Sequence, residues 1–142
     1  ISYLTVHLSS GMNALKALKK ESKNIKIAGV TTLTSLNNKD LKEIGYKKKV
    51  NELVRHQAKL ATKAKLDAIV CSGHEIRSVK KVFKKEIITP GIKMQNVKND
   101  QKRVMRPIDA FAAGSNWLVI GRSITNGNIR KNINNLLEIL ED

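Results

Sequence analysis

Apolar and polar positions along this chain follow two alternating patterns, which predict strands and helices in turn. Short apolar runs, typical of strands covered on both faces, occupy residues 3–8, 25–33, 67–71, 86–89 and 117–120. Helical patterns lie between or after them, at residues 12–22, 39–44, 50–65, 74–84, from Pro107 onward, and 128–140. Five βα units in series predict an α/β fold with a parallel sheet and right-handed crossovers.

Two architectures fit this alternation. One is an open, doubly wound sheet of five strands, for which 142 residues is a natural size. The other is about five-eighths of a (β/α)₈ barrel, whose full form has about 250 residues. The pattern alone favours the open sheet. However, the chain begins with Ile1 in an apolar run and its first methionine is Met12, so we expect a piece that lacks its N-terminal part. This feature and the loop chemistry favour the barrel.

Composition narrows the classes of protein further. Hydrophobic residues make up 41% of the chain and charged residues 27%, which excludes disorder on compositional grounds. Apolar stretches such as 117–120 are far shorter than the roughly 20 residues that cross a bilayer, so we expect no membrane partner. The lone Cys71 excludes an internal disulfide and fits a reducing compartment. We therefore expect a cytoplasmic protein.

The charge is strongly positive. Twenty-seven Lys and Arg residues against 12 Asp and Glu give a net charge of +15, which favours anionic partners such as phosphorylated metabolites or nucleic acid. Most of the lysines, however, fall on predicted outer helix faces. Aromatic residues are only 4% and do not interleave with the lysines as a base-stacking surface would need. A basic α/β domain that binds nucleic acid is therefore kept only as an alternative.

The carboxyl ends of the predicted strands carry the candidate chemistry. A glycine at a strand end lets the backbone approach a ligand, and an adjacent arginine can grip phosphate through two parallel hydrogen bonds, so Gly121-Arg122 predicts a phosphate site. The basic segment 91–106 is either a lid on that site or an ordinary surface loop. The three histidines lack metal-ligand spacing, and no metal site is expected; we interpret His7 as a core residue.

Together these strand ends resemble those of the orotidine 5′-phosphate decarboxylases. The resemblance is carried in order by Thr5-Val-His7, Val30-Thr-Thr-Leu-Thr-Ser35, Ile69-Val-Cys-Ser72, Ile88-Thr-Pro-Gly-Ile92, Asp100-Gln-Lys-Arg103 and Trp117-Leu-Val-Ile-Gly-Arg-Ser-Ile-Thr125. It implies a (β/α)₈ barrel that forms a homodimer, with residues 1–142 a single partial domain resembling strands four to eight and the C-terminal helix. It also implies a lyase that converts orotidine 5′-monophosphate to uridine 5′-monophosphate and CO₂ in pyrimidine synthesis, without metal or organic cofactor.

The resemblance also assigns ligand contacts position by position. Thr34 would lie in the pyrimidine and ribose site, Gln101 would reach the phosphate from the lid, and Gly121 and Arg122 would bind the phosphate. Lys93 stands where the family usually has an arginine that contacts the ligand. This change keeps the charge but loses the bidentate fork.

The family's catalytic D-x-K-x-x-D array is missing from these 142 residues. Asp40-Leu-Lys42 and Asp100-Gln-Lys102 read D-x-K, but the third aspartate is replaced by Gly45 and Met105. We therefore expect no catalytic residue in this chain, which would carry the phosphate-binding half and be inactive alone. A non-catalytic, nucleotide- or phosphate-binding remnant is the other alternative.

Overall fold

Five parallel strands form one sheet in the computed structural model, which describes residues 1–94 and 104–141. The strands are β1 (Tyr3–His7), β2 (Lys26–Val30), β3 (Ala68–Val70), β4 (Glu86–Thr89) and β5 (Trp117–Leu118). Their order in the sheet is β1-β2-β3-β4-β5, so each strand pairs with the next one along the chain. A doubly wound sheet would reverse its order at a switch point. The sequential order confirms the partial barrel and excludes the open-sheet alternative.

Seven α-helices are described around the sheet. They are α1 (Gly11–Glu21), α2 (Asn38–Glu43), α3 (Val50–Lys63), α4 (Ile76–Lys80), α5 (Pro107–Ala113), α6 (Arg122–Thr125) and α7 (Ile129–Glu141). The helix predicted over 74–84 is shorter than expected. It is divided into a 3₁₀ turn, Gly73–Glu75, and α4. After α4 the Val79 carbonyl oxygen accepts from both Val82 N, in a 3₁₀-type bond, and Phe83 N, so the helix ends in a tightened turn. The four-residue α6 was not predicted.

The hydrophobic core lies between the sheet and the helices. Because side chains alternate along a strand, one face of β2, β3 and β4 presents Ile27, Ile69 and Ile87, all fully buried. The core cluster also contains apolar residues of the helices and loops: Leu15, Leu53, Val54, Ala58, Ile76, Val79 and Phe83. Gly29 shares this face, where a Cβ would lie 2.7 Å from Leu8 Cδ2 and 2.9 Å from Leu66 Cδ1. Only glycine leaves room for that packing.

The opposite face of the sheet, here called the inner face, is partly open. His7 lies on it by strand alternation and is exposed, so its prediction as a core residue was wrong. The apolar pattern around it suggested a strand covered on both sides, whereas β1 is an edge strand among the described residues. Trp117 and Val119 are 54% and 51% exposed.

Polar side chains join four strand starts on the inner face. Tyr3, Lys26 and Trp117 surround Glu86: the Tyr3 hydroxyl and the Lys26 ammonium donate to its carboxylate, and Trp117 Nε1 donates to Glu86 Oε2 at 2.8 Å. The Tyr3 and Trp117 rings meet edge to face, with centroids 6.5 Å apart. This Glu86 cluster ties β1, β2, β4 and β5 together at the end of the sheet where the strands begin.

Acid is expected to weaken the fold through Glu86. Hydrogen bonds from Lys26 first, and then from Tyr3 and Trp117, lower the pKa of Glu86 from 4.5 to about 2. Because the folded-state pKa is the lower one, its stabilising contribution is complete above pH 4.5 and is lost as the pH falls toward 2. Urea unfolding at several pH values should show the unfolding free energy decreasing across this window. Glu86→Gln should remove most of this dependence of the unfolding free energy on pH, and Tyr3→Phe should remove part of it. The same dependence on pH in the unmodified protein and in both variants would contradict this role of Glu86.

Candidate functional site

Three strand ends surround a cavity of about 270 Å³ at the end of the sheet where the strands finish, opposite the end that carries the Glu86 cluster. Thr34 reaches it from the loop after β2, Lys93 from the loop after β4, and Gly121 and Arg122 from the segment after β5. The carboxyl ends of parallel strands meet at one edge of a sheet, which brings these separate segments together. Four of the five residues predicted for ligand binding therefore line one cavity.

The loop after β4 is held by backbone hydrogen bonds. Gly91 has φ +76°, a left-handed conformation that favours glycine, and its carbonyl accepts from Met105 N at 3.2 Å. Lys93 N donates to Met105 O at 3.1 Å. These two hydrogen bonds pair the backbone of Gly91 and Lys93, which line the cavity, with Met105, which lies beside it and does not line it. Most of the predicted lid, including Gln101, lies outside the described residues.

The segment after β5 forms the opposite wall. The carbonyl of Gly121 accepts from Ile124 N at 2.8 Å and from Thr125 N at 3.1 Å, which starts α6 at Arg122. Arg122 and Ser123 occupy the first helical turn and both line the cavity. A Cβ at Gly121 would meet no atom within 4 Å, so its backbone faces open space and a ligand can approach it closely. The sequence had singled out Gly121 and Arg122 but not Ser123.

The cavity is electropositive. Lys93 and Arg122 both line it, and no Asp or Glu is among its lining residues in the part of the chain that the structure describes. The salt bridges found between described residues engage neither side chain. An arginine can bind two oxygens of a phosphate in a fork, whereas a lysine acts as a point charge. The pair is suited to an anion with several oxygens, such as a phosphate monoester.

Buried polar contacts hold the loop that carries Thr34. Thr31 N and Thr31 Oγ1 donate to the Val70 carbonyl oxygen at 3.1 and 2.8 Å. Thr32 N and Thr32 Oγ1 both contact Gln57 Oε1 of α3, at 2.9 and 3.2 Å. Sequence reasoning missed Gln57, although a glutamine between Leu53, Val54, Ala58 and Ala61 on an apolar helix face was a signal.

The first D-x-K sequence has a structural role in this fold. Asp40 Oδ2 accepts from Asn37 N at 2.7 Å, and Asn37 Oδ1 accepts from Lys39 N at 2.7 Å and from Asp40 N at 3.2 Å. This reciprocal arrangement is a capping box that begins α2. Asp40 is not part of the cavity lining. The second D-x-K, at Asp100, lies outside the described residues.

Comparison with known proteins identifies the family. The model of the Orotidine 5′-phosphate decarboxylase / HUMPS family matches residues 1–132. The chain belongs to this family. It is 43% identical over 132 residues to the orotidine 5′-phosphate decarboxylase of Coxiella burnetii, an alignment that covers 86% of this chain and 56% of that protein. The Buchnera aphidicola relative of the same name is 40% identical, with 95% of this chain and 61% of that protein covered. The chain therefore spans a little over half the length of these relatives.

Solved structures confirm the barrel-type fold. The crystal structure of orotidine 5′-phosphate decarboxylase from Lactobacillus acidophilus superposes with a TM-score of 0.82 at 24% identity, covering 100% of this chain and 64% of that one. That of Methanocaldococcus jannaschii orotidine 5′-monophosphate decarboxylase, complexed with the inhibitor BMP, gives 0.73 at 20% identity, covering 99% and 62%. At these identities the likeness supports the family's fold. Among the described residues no helix is long and apolar enough to cross a membrane.

Proposed function

We propose that the protein serves the decarboxylation of orotidine 5′-monophosphate to uridine 5′-monophosphate and CO₂, and that this chain supplies the grip on the phosphate. The observation that carries the proposal is the meeting of Thr34, Lys93, Gly121 and Arg122 around one cavity, in a chain of this family. The protein would thus be a lyase of pyrimidine synthesis that needs neither metal nor organic cofactor.

Each residue has a distinct part in the proposed grip. The Arg122 guanidinium binds two phosphate oxygens, and Lys93 supplies a second positive charge across the cavity. Gly121 leaves the backbone open to the ligand. Thr34, which is half-buried in the loop after β2, offers a hydroxyl to the ribose and pyrimidine side of the nucleotide. Gln101 adds a neutral contact to the phosphate.

The five strands are proposed to correspond to strands four to eight of an eight-stranded barrel, with α7 as its C-terminal helix. The share of the relatives' length that the chain spans, 56% and 61%, supports this assignment. The catalytic D-x-K-x-x-D array would belong to the third strand. These 142 residues contain no such array, so the chain alone is proposed to be inactive.

We further propose that the protein is a cytoplasmic homodimer. Exposed apolar side chains on the inner face and along α7, including Trp117, Val119, Ile133 and Leu137, support association with another polypeptide. The single, buried cysteine fits a reducing compartment.

Calorimetric titration with uridine 5′-monophosphate and with uridine tests the phosphate grip. The nucleotide is expected to bind measurably more tightly, because only it presents a charged group to Lys93 and Arg122. Equal affinity for the two ligands would overturn the proposal. A parallel titration with duplex DNA tests the alternative that the protein binds nucleic acid. In that case its affinity for DNA should fall steeply as the salt concentration is raised.

A further inference from the structure

A buried glutamine lies directly behind the loop that carries Thr34. Gln57 is 6% exposed and sits on the face of α3 that otherwise buries Leu53, Val54, Ala58 and Ala61. Its Oε1 accepts from Thr32 N at 2.9 Å and lies 3.2 Å from Thr32 Oγ1. Thr32 is only 8% exposed. If Gln57 were replaced by an apolar residue, the amide and hydroxyl of Thr32 would lose this acceptor in a place where water has little access.

Packing alone does not fix this loop. A cavity of about 160 Å³ lies against it, and its walls include Thr31, Thr32, Leu33 and Gln57. A loop beside a cavity has fewer contacts to resist a shift than one packed against solid core. Beside that cavity, the contacts described for the amide and hydroxyl of Thr32 both go to Gln57.

The loop after β2 leads directly to the cavity of about 270 Å³ proposed to bind phosphate, here called the phosphate cavity. Thr32 follows β2 by two residues, and Thr34 lines the cavity with Lys93, Gly121 and Arg122. Because Thr34 is only two residues from Thr32, a shift of the backbone at Thr32 is expected to move Thr34 as well. The position of the Thr34 hydroxyl against a ligand thus depends on a side chain that does not itself line the cavity.

We propose that Gln57 is a positioning residue: by accepting two hydrogen bonds from Thr32 it sets where Thr34 meets the bound nucleotide. The inference rests on the proposed function for the identity of the ligand, but its structural part, the anchoring of Thr32, does not. Gln57 acts through Thr34, so its effect on binding requires Thr34 to be present.

The test combines Gln57→Leu with Thr34→Ala. Leucine keeps most of the glutamine's volume but accepts no hydrogen bond, so uridine 5′-monophosphate should bind roughly fivefold more weakly, the size of one neutral hydrogen bond. Thr34→Ala should cost about as much, and the double variant no more than Thr34→Ala alone. Gln57→Glu retains an accepting oxygen and should recover most of the affinity. Additive losses, or nucleotide affinity unchanged in a folded Gln57→Leu protein, would overturn the proposal.

A control separates positioning from plain stability. Asn116 Oδ1 accepts from Ile87 N at 2.8 Å at the strand-start end of the sheet. Asn116→Leu therefore removes a side-chain acceptor of a backbone amide away from the cavity, at a more exposed position than Gln57. It should lower the unfolding free energy without changing nucleotide affinity. Amide exchange gives a readout that needs no ligand: the Thr32 amide should exchange faster in Gln57→Leu and stay protected in Asn116→Leu. Unchanged Thr32 protection would refute the anchoring even if the nucleotide does not bind. If Gln57→Leu fails to fold, Thr32→Val, which removes the 3.2 Å hydroxyl contact alone, should show a smaller loss in the same direction.

Discussion

Decarboxylation of orotidine 5′-monophosphate by the 142-residue chain is expected to be undetectable. The reaction breaks a carbon–carbon bond and puts a proton where the carboxylate was. The resemblance implies that the lysine of the D-x-K-x-x-D array, held between carboxylates, supplies this proton, and these 142 residues contain no such array. The cavity offers Lys93 and Arg122 and no lining carboxylate in the described part of the chain. Positioned proton transfer contributes roughly 10²–10⁴-fold to a rate. Losing it together with electrostatic stabilisation at the reacting carbon should lower turnover by at least roughly 10⁴-fold.

Release of CO₂ from labelled substrate measures this directly, with a full-length family member as the positive control. A second assay adds the segment of a family member that carries D-x-K-x-x-D, as a separate polypeptide. If the exposed inner face and α7 receive that segment, turnover should appear only in the mixture. It should be lost again when Arg122→Ala replaces the unmodified chain. Turnover by the 142-residue chain alone would refute the account of what it lacks.

The sequence predicted which segments form strands and helices better than it predicted how the strands are arranged in the sheet. The sequence placed every described strand, because a short continuous apolar run differs from the wider spacing of apolar residues on an amphipathic helix. The pattern alone nevertheless favoured the wrong architecture, since an open sheet and a barrel segment share the same alternation of elements. The strand order, which decides between them, depends on long-range pairing that local pattern does not encode.

The candidate site likewise contains residues that the sequence predicted and contacts that it did not. Thr34, Lys93, Gly121 and Arg122 were predicted from strand-end motifs and from family resemblance, and they lie together. Gln57 and the Glu86 cluster were not predicted, because their partners are distant in sequence: Gln57 and Thr32 are 25 residues apart, and Tyr3 and Glu86 are 83 apart. The error at His7 has a related cause, since an apolar run does not reveal that its strand lies at an edge of the described sheet.

Arg122→Ala is expected to remove most of the preference for uridine 5′-monophosphate over uridine. A charge-assisted contact to phosphate is worth roughly 1.5–3 kcal/mol, which corresponds to roughly 10- to 150-fold in affinity. Arg122 lines the cavity, and alanine leaves only Lys93 as a cation there among the described residues. Arg122→Lys keeps the charge but not the fork, so its affinity should lie between those of the unmodified chain and the alanine variant.

Calorimetry on both ligands distinguishes a phosphate contact from a general loss of the site. Uridine affinity should be nearly unchanged in Arg122→Ala, because the nucleoside has no group for the guanidinium to grip. Arg130→Ala is the matched control: it removes the same charge from an exposed position on α7, outside the cavity lining, and should leave the preference intact. If Arg130→Ala weakens nucleotide binding as much as Arg122→Ala does, the preference comes from the chain's overall charge of +15 and not from a built site.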